Sequence, residues 1–183
     1  MGTESAIKTF ICNDSITAAL CSVRRAVSEN EGDHYMNVQI PVRKLREDAR
    51  LPLSGSEYSA GYDLYACTGT EKTVIAPHTT VMIGTGLACA VPTGYFGALF
   101  ARSGLAAKEG LRPANCVGVL DSDYRGEIKI ALHNDTDQER SIQDGERIAQ
   151  LVVMPYLAVS FSQVEELEET GRGEGGFGHT GKM

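Results

Sequence analysis

Cys116-Val-Gly-Val-Leu-Asp-Ser-Asp-Tyr-Arg-Gly-Glu-Ile-Lys-Ile-Ala-Leu132 contains two apolar, alternating runs joined by Asp121-Ser-Asp-Tyr-Arg-Gly126. Alternation with period two marks a strand with one buried face, and a polar link closed by glycine marks a turn, so the stretch predicts a β-hairpin. An acidic residue and an aromatic ring at a rigid strand end, here Asp121 and Tyr124, can offer a carboxylate for proton transfer and a flat face for a ligand. The same residues suit an ordinary hairpin whose aspartates serve turn chemistry.

Working outward, the chain continues as short strands punctuated by turns. The pattern predicts strands at Val38 to Val42, Gly61 to Cys67, Thr73 to Ile75, Thr80 to Thr85, Leu87 to Val91 and Tyr95 to Ala101. Further strands are predicted at Val117 to Leu120, Glu127 to Leu132, Arg140 to Ile142 and Ala149 to Met154. Pro77, Pro92-Thr-Gly94 and Asp144-Gly145 supply the breaks. So many short strands without a long amphipathic helix indicate an all-β sandwich or barrel. Ser103 to Glu109 reads as a helical turn or two, and the acidic Glu165 to Glu169 as a solvated face.

At 183 residues and 19.7 kDa the chain fits one domain with tails. A core of this size buries roughly 70% of the unfolded surface without disulfides or a structural metal. Five cysteines, odd in number, widely spaced and free of a C-x-x-C pair, argue against a disulfide framework or zinc site and fit a reducing cytoplasm. No apolar run is long enough to span a membrane, so no membrane partner is expected. With 17 basic against 24 acidic residues the net charge is −7, which disfavours a nucleic-acid polymer as partner. A phosphate ligand would have to be held by local arginines, backbone N–H groups or a cation.

Residues 1–35 differ in character. Ser15 to Val27 has apolar positions at helical spacing, and the segment is expected to be a dispensable extension, with a start at Met36 as one reading. Residues 36–168 form the β domain, and residues 169–183 a mobile arm with six glycines in Gly171 to Met183.

Five patches stand out in order: Ala60-Gly-Tyr-Asp-Leu64, Arg102-Ser-Gly-Leu-Ala106, Gly118-Val-Leu-Asp-Ser-Asp-Tyr-Arg-Gly126, Gly145-Glu-Arg-Ile-Ala-Gln150 and Arg172-Gly-Glu-Gly-Gly-Phe-Gly-His-Thr-Gly181. This series resembles the five motifs of the trimeric dUTP pyrophosphatases, the dUTPases, over about Met36 to the C-terminus. Asn115, six residues before Asp121, and His179 resemble the bacterial branch.

The resemblance implies a jelly-roll-like β domain, a homotrimer with exchange of the C-terminal arm, and three active sites at subunit interfaces. It implies hydrolysis of dUTP to dUMP and pyrophosphate with Mg2+, limiting uracil in DNA and supplying dUMP for dTMP synthesis. Asp121 then resembles the catalytic aspartate that activates the attacking water, and Tyr124 the ring under the deoxyribose. Asn115 and the backbone around Gly118 resemble the uracil-pairing segment. Arg102, Ser103, Gly104 and Gln150 resemble phosphate-side residues, Arg102 being partly an ion-pair scaffold. Asp63 resembles the aspartate that holds water on Mg2+. In the arm, Arg172 resembles the γ-phosphate grip and Phe177 the ring stacked on uracil, with Gly178 and His179 beside them. Ala101, where many members carry proline or glycine, and His179, where many carry serine, are departures from the pattern. Two alternatives stay open at this point: a dCTP deaminase of the same superfamily, mono- or bifunctional, and a non-catalytic regulatory protein on the same fold.

Overall fold

The computed structural model describes residues 38–69 and 71–176. The helix expected over Ser15 to Val27, and Phe177, Gly178 and His179, lie outside them. The described strands are β1 (Val42–Lys44), β2 (Leu53–Ser54), β3 (Tyr62–Tyr65), β4 (Lys72–Ile75), β5 (Thr80–Gly84), β6 (Leu87–Cys89) and β7 (Tyr95–Phe100). They continue as β8 (Leu111–Pro113), β9 (Gly118–Leu120), β10 (Lys129–Asn134), β11 (Arg140–Gln143) and β12 (Arg147–Pro155). A π-helical segment, Leu105–Glu109, follows β7 and closes on Gly110, whose φ of 67° is left-handed.

All the pairings are antiparallel. One sheet runs β2-β3-β12-β7-β9 and another β5-β10-β8, with the pairs β1-β6 and β11-β4 beside them. The result is a jelly-roll-like sandwich around one core. Alternation explains it: in β10, Ile130, Leu132 and Asn134 point inward while Lys129 is exposed. Fully buried Leu64, Ile75, Ile83, Ile130, Leu132 and Ile148 meet in the centre, each contributing about 1.5–3 kcal/mol by burial.

The predicted hairpin is corrected by this topology. β9 pairs with β7, and β10 with β5 and β8, so the two arms join different sheets and Asp121 to Gly126 is a corner between them. The residues after the corner find other partners: Ile128 N–H donates to Leu87 O at 2.7 Å, and Thr85 N–H to Ile128 O at 3.1 Å. A six-residue link does not hold two strands in register as a two-residue turn does. The first strand is also shifted, starting at Val42 instead of Val38. Two short strands, β2 and β8, carry no alternating signal and were not expected.

Asn134 is a buried polar node. Its Nδ2 donates towards Ile75 O at 3.1 Å, Ala76 O at 3.3 Å and Gln138 O at 2.8 Å, two hydrogens shared among three carbonyls. Its Oδ1 accepts from Thr136 N at 2.9 Å and Thr136 Oγ1 at 2.8 Å. A buried amide is tolerable because every polar atom is satisfied.

Candidate active site

The central strands bring three of the five motifs together. Gln150 on β12 faces Asp63 on β3 and Phe100 at the end of β7, so one row crosses three strands. Arg102, two residues past Phe100, reaches back: its Nε donates to Asp63 Oδ1 at 2.8 Å. Gln150 Nε2 donates to Ala101 O at 2.9 Å, tying the same loop to β12. A Cβ on Gly61 would meet the Gln150 amide and displace it from this position. Ser103 and Gly104 are exposed just after, at the start of the helical segment.

A residue to which the sequence reading gave no role completes this cluster. Arg147 Nη1 donates to Asp63 Oδ2 at 3.1 Å. Its only sequence signal was its place inside Gly145 to Gln150. Both carboxylate oxygens of Asp63 are therefore held by guanidinium groups, and the Asp63 side chain is 16% exposed. Two arginines against one aspartate leave a local surplus of one positive charge on a chain of net charge −7. That suits an anion and not a bare cation. Among the described residues no cluster of three or more His, Cys, Asp or Glu forms a metal site. Asp63 does not fit as a direct Mg2+ ligand; with about four lone-pair sites, two of them taken, it can accept hydrogen bonds from metal-bound waters.

The third motif lies elsewhere on the sheet. Gly118 is buried against Leu99, and a Cβ on it would stand 3.1 Å from both Leu99 Cβ and Asn115 Nδ2. Just before it the backbone turns sharply: Val117 N–H donates to Asn115 O at 2.6 Å around Cys116, whose φ is +62°. A non-glycine residue there is strained, and such strain gathers at functional loops. Past β9, Asp121 is exposed, and its carbonyl accepts from Tyr124 N–H at 3.1 Å. Tyr124 lies back over Gly126, its hydroxyl donating to Glu127 O at 3.0 Å.

Register measures the gap between the two groups. Asp63 is on β3, three strands from β9, or about 14 Å at ~4.8 Å per strand. β9 runs antiparallel to β7 with Leu120 facing Gly97, so Asp121 lies roughly 13 Å along the sheet from Phe100. Within one chain Asp121 and the arginine cluster are therefore about 20 Å apart.

The arm is separate again. Among the described residues, the Arg172 side chain is hydrogen-bonded only to its own turn, Nε to Gly175 O at 2.7 Å, and Gly173 is left-handed with φ 52°. Between β12 and this turn runs a strap with Leu157 at 87%, Phe161 at 96% and Leu167 at 86% exposure. An apolar hollow of about 420 Å³, lined by Val38, Ile40, Val42, Tyr95, Leu151 and Val153 among others, opens on the body of the domain.

Comparison with known proteins agrees with this layout. The dUTPase family model matches residues 47–181. The deoxyuridine 5′-triphosphate nucleotidohydrolase of Syntrophotalea carbinolica is 45% identical over 144 residues, covering 79% of this chain and 97% of that protein. Its counterpart in Debaryomyces hansenii is 47% identical over 138 residues, covering 74% and 83%. Among solved structures, a variant dUTPase of Staphylococcus bacteriophage 80alpha with dUpNHpp superposes with a TM-score of 0.71 at 31% identity, covering 79% of this chain and 99% of that one. A variant dUTPase from phage phi11 of S. aureus, whose structure details coordination of a structural Mg(II) ion, superposes with a TM-score of 0.65 at 28% identity, covering 72% and 100%. Motifs, sheet order and relatives converge, and the chain belongs to the dUTPase family.

Proposed function

We propose that this chain hydrolyses dUTP to dUMP and pyrophosphate as a homotrimer, each active site assembled from more than one copy. The observation that carries the assembly is the separation of about 20 Å between Asp121 and the Asp63–Arg102–Arg147 cluster in one chain. General-base catalysis needs the carboxylate within hydrogen-bond reach of the attacking water, so a single chain cannot offer both groups to one triphosphate. A second copy can. The exposed strap from Leu157 to Leu167 supports the same reading, because such apolar side chains call for cover and the hollow beside β1 and β12 is apolar. A strap laid on a neighbouring copy is the arm exchange expected of the family.

In the assembled site, Asp121 accepts the proton of the water that attacks the α-phosphorus, and pyrophosphate leaves. Tyr124 lies under the deoxyribose, where a 2′-hydroxyl finds no room. Asn115 and the backbone at Gly118 pair with the uracil edge, and cytosine is rejected because its pattern leaves those groups unpaired. Arg102, Ser103, Gly104 and Gln150 hold phosphate oxygens. Arg172 grips the γ-phosphate, while Phe177, Gly178 and His179 close over the nucleotide. Mg2+, when bound, is chelated by the triphosphate and neutralises part of its charge, with Asp63 receiving hydrogen bonds from metal-bound water. Residues 1–35 play no part in this chemistry, and the cytoplasm suits a nucleotide enzyme whose described cysteines are free.

Pyrophosphate release from dUTP, dTTP, dCTP and UTP, each with and without Mg2+, tests the substrate reading. Turnover confined to dUTP is expected, and ammonia release from dCTP would point to deamination. Mixing inactive Asp121→Asn chains with inactive Arg102→Ala chains tests the composite site. Recovered activity after exchange is expected, and none would overturn the shared site.

A further inference from the structure

We propose that Arg147 is a positioning residue which, through Asp63, keeps the terminal nitrogens of Arg102 free for the triphosphate; this rests on the proposed phosphate-binding role of Arg102. The geometry is specific. Asp63 gives one oxygen to each arginine: Oδ1 to Arg102 Nε at 2.8 Å and Oδ2 to Arg147 Nη1 at 3.1 Å. An arginine beside an unshared carboxylate ordinarily engages it with a pair of parallel N–H groups, spending a terminal nitrogen. With Oδ2 already occupied, Arg102 is held by Nε alone. Among the described residues its two Nη groups have no partner.

The backbone is built to deliver Arg147 to this spot. Gln150 faces Asp63 and Ala149 faces Leu64, so an unbroken ladder would set Ile148 opposite Tyr65 and Arg147 opposite Ala66, on the other face. Instead the register shifts, and Arg147 itself faces Tyr65. Tyr65 shares a face with Asp63, two residues away, so the shift brings Arg147 to the diagonal position from which a long side chain reaches the carboxylate. Ile148 and Ala149 are both fully buried in succession, the burial signature of the inserted residue. A bulge that re-aims one side chain toward a functional cluster is the recurring use of this irregularity.

At 52% exposure the Arg147 side chain contributes little to stability, so loss of function can be read apart from loss of fold. The experiment is a double-mutant cycle on kcat/KM for dUTP with Arg147→Ala and Asp63→Ala. Arg147→Ala is expected to lower kcat/KM about tenfold, with Tm within about 3 °C of the parent. In the Asp63→Ala background the same substitution is expected to cost nothing further, because Asp63 is the intermediary. Arg147→Lys, which restores a donor to Oδ2, is expected to recover most of the loss. Additive losses would mean that Arg147 touches substrate directly and would overturn the proposal, as would full activity or a loss that tracks a lower Tm. An independent readout needs no turnover: in the side-chain NMR spectrum of the full chain, Arg147→Ala should shift the Arg102 Nε–H signal and protect an Nη group as the fork turns onto Asp63. Unchanged Arg102 signals would overturn the proposal even if the chain proved inactive on dUTP, the result that would sink the substrate reading.

Discussion

The arginine cluster around Asp63, within the five-stranded sheet, and the corner carrying Asp121 and Tyr124, which leaves that sheet after β9, are built on opposite terms. In the cluster the charged groups are bonded to each other and to backbone: two ion pairs and an amide tie β3, β12 and the end of β7. In the corner Asp121 is exposed with no side-chain partner among the described residues, and Tyr124 is 45% exposed. One region is tied internally and the other is presented outward. On the proposed function, a chain brings a preassembled arginine cluster to one site and its base and sugar platform to another.

The sharpest way to break this comparison is Asp121→Asn, which keeps shape and removes the base. Turnover should fall by about 10²- to 10⁴-fold with dUTP binding retained, measured by pyrophosphate release and analogue titration. Near-normal turnover would reassign the corner. Truncation after Thr170 comes next: removal of the arm should lower kcat by about 10²-fold through lost positioning and water exclusion, while the melting temperature stays put. A large fall in Tm would make the arm structural.

Gly126→Ala should have a smaller effect, because a Cβ there meets the Tyr124 hydroxyl and lifts the ring from Glu127 O. About a tenfold loss in kcat/KM is expected, with discrimination against UTP weakened, since the ring would no longer guard the 2′ position. Phe177→Ala should cost about 1 kcal/mol, or roughly fivefold in KM, the worth of one stacking contact. The smallest effect is expected from Asp48→Asn, an ion pair outside both regions. Arg46, bonded to Asp48 at 2.8 Å, holds its carboxyl at about 2 against an ordinary 3.8. A depressed carboxyl stabilises the fold above pH 3.8 and loses that contribution as pH falls through about 2. Activity at neutral pH should be unchanged, while Tm falls slightly above pH 3.8 and the difference from the parent vanishes in melting curves taken as pH falls through about 2.

Much of this was legible in the sequence because alternation is a local property. β3, β4, β5, β7, β11 and β12 fall where period-two patterning predicts them, with ends moved by a residue or two. Which strands pair is not local, and there the reading of Cys116 to Leu132 went astray: two adjacent alternating runs suggest mutual pairing, yet Ile128 is claimed by Leu87 and Thr85. β2 and β8 are too short to show a period. Asn134 looks like a surface asparagine until its carbonyl partners converge from residues 75, 76 and 138. Arg147 was hidden for a related reason: a bulge changes which face a residue occupies, and no pattern in Arg147-Ile-Ala-Gln150 reveals one.

The position of the apolar strap in the chain has a bearing on biosynthesis. Residues 157–167 follow β12, so a ribosome adding about 5–20 residues per second completes every strand of the sandwich before Leu157 is made. Segments leave the ribosome in chain order, so the strap reaches solvent after every strand that can cover the core. Placed between two strands instead, the same side chains would be displayed during folding and would compete for the core.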